Sequence, residues 1–574
     1  MWQRMTGIPT QLSGASILLS DGTVLAQDFD DQYRWWRLTP DAHGDYFNGR
    51  WSHGPRMVHG HVDGATSVAP LLSGAFIAVS SQPGDPASDS FSPIAGPAEV
   101  VSAGGLEWSA EPVAREWTAV TEVLCTLPDG SVLAAGFDFG VSVDGHVWRW
   151  TPAEGWSVYV DLPADVPVFA SLTLLPDGTV LALGRTNEYR LVGREWSIGS
   201  AHGLRLDDAW DCVTGPVCVL GKGGVLAFDY LGGMAFRSIG GIWSPAGQLP
   251  DRFGRSPAAY AAPACLLPSG RVLVGAEYPF SDREGIDIQV AYFEWDPVTG
   301  LHDAGSIEPD GTARNVEPPE LRRMLMLPNG WVLVTRIGDI ALYQPDPPST
   351  QPEWAPRITA IDEIRIPSSE RIPLTIGQHR RLHGVRLTGP SQGCVGPFNK
   401  GNPTNYPLVR IEYPDGRVFY LRTSDHSTLG IGPGEEPQST TFLVPDWLPD
   451  GDADLCVVVN GLKDCIPVRM LQPHPRRFPG YQQLVGSLAD GALWILTNGG
   501  FQPTPPGPND GRIRAAYEKI LAGIEELSRA NDADPLRIHE LQGIPGMSSI
   551  LGGIRALRSA GRGVTKRGST KREQ

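Results

Sequence analysis

The sequence has little charge for its length: Asp, Glu, Lys and Arg together make 19% of 574 residues. Acidic residues still outnumber basic ones, 64 to 47, for a net charge of −17 and a pI near 5.2. Such a surface repels phosphate backbones, which argues against nucleic acid as the main partner. No apolar run approaches the 18 residues of a membrane span. The start, Met1-Trp2-Gln3-Arg4-Met5-Thr6-Gly7, has no apolar signal core, so the expectation is a soluble chain, cytoplasmic or released without a visible signal peptide. G-x-S-x-G, the P-loop, H-E-x-x-H and a helix-opening G-x-G-x-x-G are all missing, which removes the common hydrolase, nucleotide and zinc-protease signatures. Cysteines are few: seven, with no C-x-x-C pair. The odd number points to buried free thiols; Cys212 with Cys218, and Cys456 with Cys465, are the only near pairs open to a disulfide.

What the chain has in quantity is breakers and rings, with 68 Gly, 52 Pro and 17 Trp. That excludes both a disordered chain and a mostly helical one. The glycines have a pattern. Leu18-Leu-Ser-Asp-Gly-Thr-Val-Leu25 returns as Leu124-Cys-Thr-Leu-Pro-Asp-Gly-Ser-Val-Leu133, as Leu174-Leu-Pro-Asp-Gly-Thr-Val-Leu181 and as Leu325-Met-Leu-Pro-Asn-Gly-Trp-Val-Leu333, with looser copies between. The turn glycines are Gly22, Gly74, Gly130, Gly178, Gly223, Gly270 and Gly330, 45 to 60 residues apart. Asp-Gly or Asn-Gly between apolar runs predicts a hairpin turn. Each period continues to a Trp or Tyr segment such as Trp35-Trp36-Arg37-Leu38 or Tyr292-Phe-Glu-Trp295, which fits four strands per unit. A period near 50 is the kelch length, and seven units can close a ring. The expected fold is all-β: a seven-bladed kelch-type β-propeller over 1–355, an Ig-like β-sandwich over 356–470, a Pro/Gly-rich connection over 471–508, and a helical extension with a basic tail over 509–574. The sandwich is read from short alternating runs, Val409–Tyr413, Arg417–Leu421 and Leu455–Val459, between turn signals. In the extension, Ile513, Ala516, Tyr517, Ile520, Ile524 and Leu527 share one helical face, so the helix 512–529 must dock on its own body or on a protein partner.

The wording of the repeats, with Arg37-Leu-Thr-Pro-Asp41, Asp45-Tyr-Phe-Asn-Gly-Arg-Trp51 and Tyr292-Phe-Glu-Trp-Asp-Pro297, resembles bacterial kelch-repeat proteins of the galactose oxidase and glyoxal oxidase type. Trp354-Ala-Pro-Arg-Ile-Thr359, Asn405-Tyr-Pro-Leu-Val-Arg410 and Asp425-His-Ser-Thr-Leu-Gly430 extend the likeness through roughly residues 7–470. That resemblance implies a copper-radical site with two tyrosines, one of them cross-linked to cysteine, and two histidines. His426 falls where the sandwich histidine is expected. The remaining ligands do not carry over, because none of the 14 tyrosines is followed by histidine and no Cys–Tyr cross-link can be assigned.

Propellers present ligands where chain segments enter the innermost strands. Here those segments carry His59, His61, Asp63, Glu122, Asp211, Tyr260 and Glu320. With His426 they form the expected ligand-binding set, suited to a cation or a polyhydroxylated ligand, without an assigned catalytic residue, metal or other cofactor. Solvated rim residues would give the same pattern. The leading expectation is a non-enzymatic protein that binds a glycan or a protein at the propeller mouth. A copper- or other metal-dependent oxidoreductase is one alternative; a structural component of a surface or phage-like assembly, anchored by the terminal helix, is the other.

Overall fold

The computed structural model describes residues 1–472 except 8–11, 29, 60–65, 80, 83–93, 96–97, 111–118, 139–144, 167–170, 206–213, 253, 260–261, 283–284, 306, 308–322, 337–338, 347–348, 367–370, 395–401 and 433. The expected connection beyond 472 and the helix 512–529 lie outside the described residues. Residues 1–372, 380–443 and 452–468 group as one compact unit. The described part of the other unit is small. In it the Gly377 N–H donates to the Val444 carbonyl at 2.7 Å and the Val444 N–H to the Gln378 carbonyl at 2.9 Å.

Among the described residues the larger unit is all-β apart from one 3₁₀ turn, Pro352–Trp354. It contains seven four-stranded antiparallel sheets. Their first strands are Leu12–Leu18, Ser67–Pro70, Ala119–Thr126, Thr173–Leu174, Thr214–Val219, Ala264–Leu266 and Arg323–Met326. These strands neighbour one another in chain order, and the seventh returns to the first, so the propeller-like units follow a closed cycle. Five sheets use consecutive strands, and the second has a two-stranded ribbon, Ser81–Gln82 with Ile94–Ala95, inserted between its second and third strands. The seventh takes its fourth strand, Trp2–Arg4, from the N-terminus, in register Trp2↔Tyr343 and Arg4↔Ala341.

The repeated motif explains each hairpin. In all seven, the glycine N–H donates to the leucine carbonyl three residues back, from Gly22 to Leu19 at 2.9 Å through Gly330 to Leu327 at 2.9 Å. All seven glycines have φ between 77° and 90°. The leucine N–H closes the next bond, Leu19 to the Thr23 carbonyl at 2.8 Å, so the turn is a type I bend ending in one left-handed residue. Only the glycine needs positive φ. The aspartate before it pins the turn to the sheet. Asp21 Oδ1 accepts from the Thr23 N–H at 3.0 Å and hydroxyl at 2.6 Å, while Arg37 on the third strand reaches Oδ2 at 3.3 Å. Asp129 with Ser131 and Arg149, and Asp177 with Thr179 and Arg190, repeat the same pin.

Second strands such as Val24–Asp28 and Val225–Asp229 are buried along their whole length, because each sheet is covered on both faces. Buried charged groups that cross between sheets meet partners there. Arg237 of the fifth sheet meets Glu188 of the fourth at 2.5 and 3.1 Å, and Trp243 Nε1 donates to the same carboxylate at 2.8 Å. Tyr343 of the seventh donates to Glu294 of the sixth at 2.7 Å.

Two further sheets follow. One orders Ile364–Arg365, Arg357–Ile361, His379–Val385, Pro437–Leu443 and Thr423–Ser424; in the other, Leu462–Leu471, Gly451–Val459, Leu408–Glu412 and Val418–Leu421 are successive neighbours. Cys456 and Cys465 are joined across the first two of these, one of the two near pairs. Cys218 does not wait for its sequence neighbour Cys212, which lies outside the described residues; it is bonded to Cys394, 176 residues away. The expectation of free thiols holds for Cys125 and Cys265, both buried, whose pKa burial raises to about 12.

Candidate functional site

The inner-strand cycle has two ends, and the chain treats them differently. At the turn end the two-sheet region lies directly on the hairpins. A Cβ on Gly22 would sit 2.3 Å from the Tyr420 ring, and one on Gly74 2.4 Å from the Thr423 carbonyl oxygen, so glycine is needed there twice over, for φ and for room. The His426 N–H donates to the Leu72 carbonyl at 2.9 Å, and the Thr428 hydroxyl to the Pro128 carbonyl at 2.9 Å.

Two stretches of that region, residues 391–394 and 402–406, are anchored on the inner strands themselves. Gln392 Nε2 donates to the Thr126 carbonyl at 2.5 Å and to Leu429 at 3.1 Å. Asn402 Nδ2 donates to the Met324 carbonyl at 3.2 Å, while its Oδ1 accepts from the Ser16 N–H at 3.4 Å. The Tyr406 hydroxyl donates to the Leu18 carbonyl, and Cys394 is covalently tied to Cys218. The first, third, fifth and seventh sheets are each held this way. Together these two stretches form a stopper at the turn end.

His426 belongs to this stoppered end. It is buried, and Nδ1 lies 3.0 Å from the Thr440 hydroxyl, which itself donates to the Ser424 carbonyl at 3.2 Å. That chain of bonds assigns the proton to Nδ1. Burial lowers its pKa to about 4, so the ring is neutral at physiological pH.

His59 is at the other end. Its N–H and that of Val58 both donate to Glu99, to Oε1 and Oε2 at 2.8 Å each, and Glu99 pairs with Ala78, away from the Gly74 turn. His59 and His426 are therefore not brought together: they belong to opposite ends of the second sheet. His61, Asp63, Asp211, Tyr260 and Glu320 lie outside the described residues, and Glu122 falls within the strand Ala119–Thr126 with its side chain outside them.

One group of donors meets the geometry of a cation site among the described residues: Glu412, Cys456 and Cys465. Its sulfurs are taken up in the disulfide, and its carboxylate accepts from Arg410 and from Lys463 at 3.1 Å. Burial alone would raise the Glu412 pKa; the two cations more than offset it and hold it low. The cluster is a set of ion pairs beside a disulfide. His202 is likewise satisfied, with Nε2 on the Gly184 carbonyl at 2.8 Å and Nδ1 accepting from the Leu204 N–H at 3.1 Å.

Sequence reasoning missed Gln392, Asn402, Tyr406 and Cys394, which carry the stopper. No periodicity or turn signal marks them, and their partners are remote in the chain: Thr126 is 266 residues from Gln392, and Leu18 is 388 from Tyr406.

No known protein family matches the sequence, and no curated protein does. Solved structures give remote likenesses. A structural genomics protein of unknown function from Bacteroides thetaiotaomicron is 9% identical, with TM-score 0.33 over 60% of this chain and 72% of its own. A luciferin-regenerating enzyme is 7% identical, with TM-score 0.32 over 61% and 97%. The alpha-L-arabinofuranosidase ARB93A from Fusarium graminearum is 13% identical, with TM-score 0.26 over 62% and 92%. At these scores they carry no argument, and the fold is read from the strand pairing of this chain.

Proposed function

We propose that the chain is a binding protein: a seven-bladed β-propeller of the kelch type, followed by an Ig-like sandwich, that takes a glycan or a protein at the mouth opposite the sandwich. The observation that carries this reading is the stopper. With Gln392, Asn402, Tyr406 and Cys394 fixed on the inner strands, a ligand has one end of the ring to approach, the end to which His59 belongs. In the sequence His61, Asp63, Asp211, Tyr260 and Glu320 come shortly before inner strands and Glu122 falls within one, and their carboxylates, imidazole and phenol would suit a ligand with many hydroxyls. Assignment to the galactose oxidase group belongs to this reading and rests on the repeat wording. The copper chemistry of that group has no observation among the described residues in its favour, since His426 is occupied by Thr440 at the stoppered end.

Two measurements test it. Glycan-array and pull-down binding by the full chain should be lost in Asp211→Ala and Glu320→Ala and kept in His426→Gln; binding that survives both acidic variants overturns the assignment of the mouth. Copper-loaded protein should give no radical absorption and no peroxide from sugars or aldehydes, and robust peroxide formation refutes a purely binding role.

A further inference from the structure

Between the stopper and the inner strands of the second to fifth sheets lies a small cavity, with Val68, Leu124, Thr126, Thr173, Gln392 and Ile431 in its lining. It has room for about one water-sized molecule. Its walls are mostly aliphatic, and no charged side chain lines it, so an ion has nothing to pair with there.

Two polar atoms in the lining lack a full partner. Thr173 is 4% exposed, and its hydroxyl has no hydrogen bond among the described residues. Gln392 gives both protons of its amide to carbonyls, yet its Oε1 receives only the Cys125 thiol at 3.8 Å among the described residues, a weak donor. A third atom has spare capacity: the Thr126 hydroxyl donates to the Pro70 carbonyl at 3.2 Å and keeps a lone pair. A buried hydroxyl without a partner loses its hydration with nothing in return, whereas a water needs two to four polar partners to settle in a cavity. Elsewhere on or just before the inner strands, the buried hydroxyls of Ser16, Thr66 and Ser171 also have no protein partner among the described residues.

We propose that this cavity is a built site for a single neutral hydrogen-bonding ligand, an ordered water, which accepts from or donates to Thr173 Oγ1, donates to Gln392 Oε1 and thereby completes the seat of the stopper on the third and fourth sheets.

The test compares the full chain with Thr173→Val, which keeps the shape and removes the hydroxyl, and with Thr173→Ser, which keeps the hydroxyl. High-resolution crystal structures of the parent and of T173S should show ordered density within hydrogen-bonding distance of residue 173 Oγ and Gln392 Oε1, and T173V should lack it. Melting of T173V should come at or below the parent's temperature. Empty density in the parent, in crystals that show other buried waters, overturns the proposal. So does a T173V melting temperature above the parent's, the result expected if a dry orphan hydroxyl had been removed.

Discussion

Removing the Cys218–Cys394 disulfide should cost more stability than removing Cys456–Cys465, by an amount set by loop length. The first closes a separation of 176 residues and the second one of 9. In the chain-entropy description the long loop contributes about 5 kcal/mol and the short one about 2.5. Unfolding entropy scales near 2.1 cal/mol/K per residue, so a folded body spanning residues 1–472 has a value of about 1 kcal/mol/K. The melting temperature should then fall by about 5 °C in C218A/C394A and by about half that in C456A/C465A, read by differential scanning calorimetry on the unreduced full chain. Both Cys218 and Cys394 are buried, at 0% and 2% exposure, so dithiothreitol should leave this disulfide intact in the folded protein and reduce it only once unfolding exposes it. A long-loop variant that melts at or above the short-loop variant would refute the reasoning. It would mean that the stopper is seated by its hydrogen bonds and that the covalent tie only records the contact.

Other outcomes follow from single residues. Gly22→Ala should destabilise by well over the ~1 kcal/mol expected of Gly178→Ala, because both have positive φ but only Gly22 has the Tyr420 ring in the way; denaturant midpoints compare them, and G22A/Y420A should recover part of the difference. His426 is neutral in the fold with a pKa near 4, against about 6.5 unfolded, so its contribution is complete above pH 6.5 and drains away as pH falls toward 4, by about 3 kcal/mol. Urea titrations between those pH values should show a shallower slope in His426→Gln, and an unchanged slope would reject the assignment. Arg237→Leu strands the buried Glu188 carboxylate and should cost about 3–5 kcal/mol by chemical denaturation, while E188L/R237L recovers part of it. Mass spectrometry of unreduced peptides should find 218–394 and 456–465 linked, and 125 and 265 free for alkylation once the chain is unfolded.

The part of the fold that could be read in advance is the part written locally. A turn that requires positive φ at one position and an apolar residue on either side leaves Gly-Thr-Val-Leu or a close variant behind wherever it occurs, so Gly22, Gly130, Gly178 and Gly330 announce their hairpins without reference to anything distant. The arginines of the pins are nearly as local, since Arg37 lies 16 residues from Asp21. Closure is different in kind. Trp2 pairs with Tyr343 and its ring nitrogen donates to the Ala304 carbonyl at 2.9 Å, contacts that exist only after the cycle has formed and that leave no mark in Trp2-Gln3-Arg4. Cys394 is opaque for the same reason: its partner is chosen by where the stopper enters the ring, not by spacing along the chain. His426 was singled out by the family resemblance, but the end of the inner strands at which it sits is fixed by their direction. That direction follows from the turns, because the turn glycines meet Tyr420 and Thr423. The histidine must therefore sit with the turns, and His59, which precedes an inner strand, must sit away from them. Two histidines that the family resemblance and the strand-entry segments would place in one site belong to opposite ends of a sheet, and strand direction is what a list of candidate ligands leaves out.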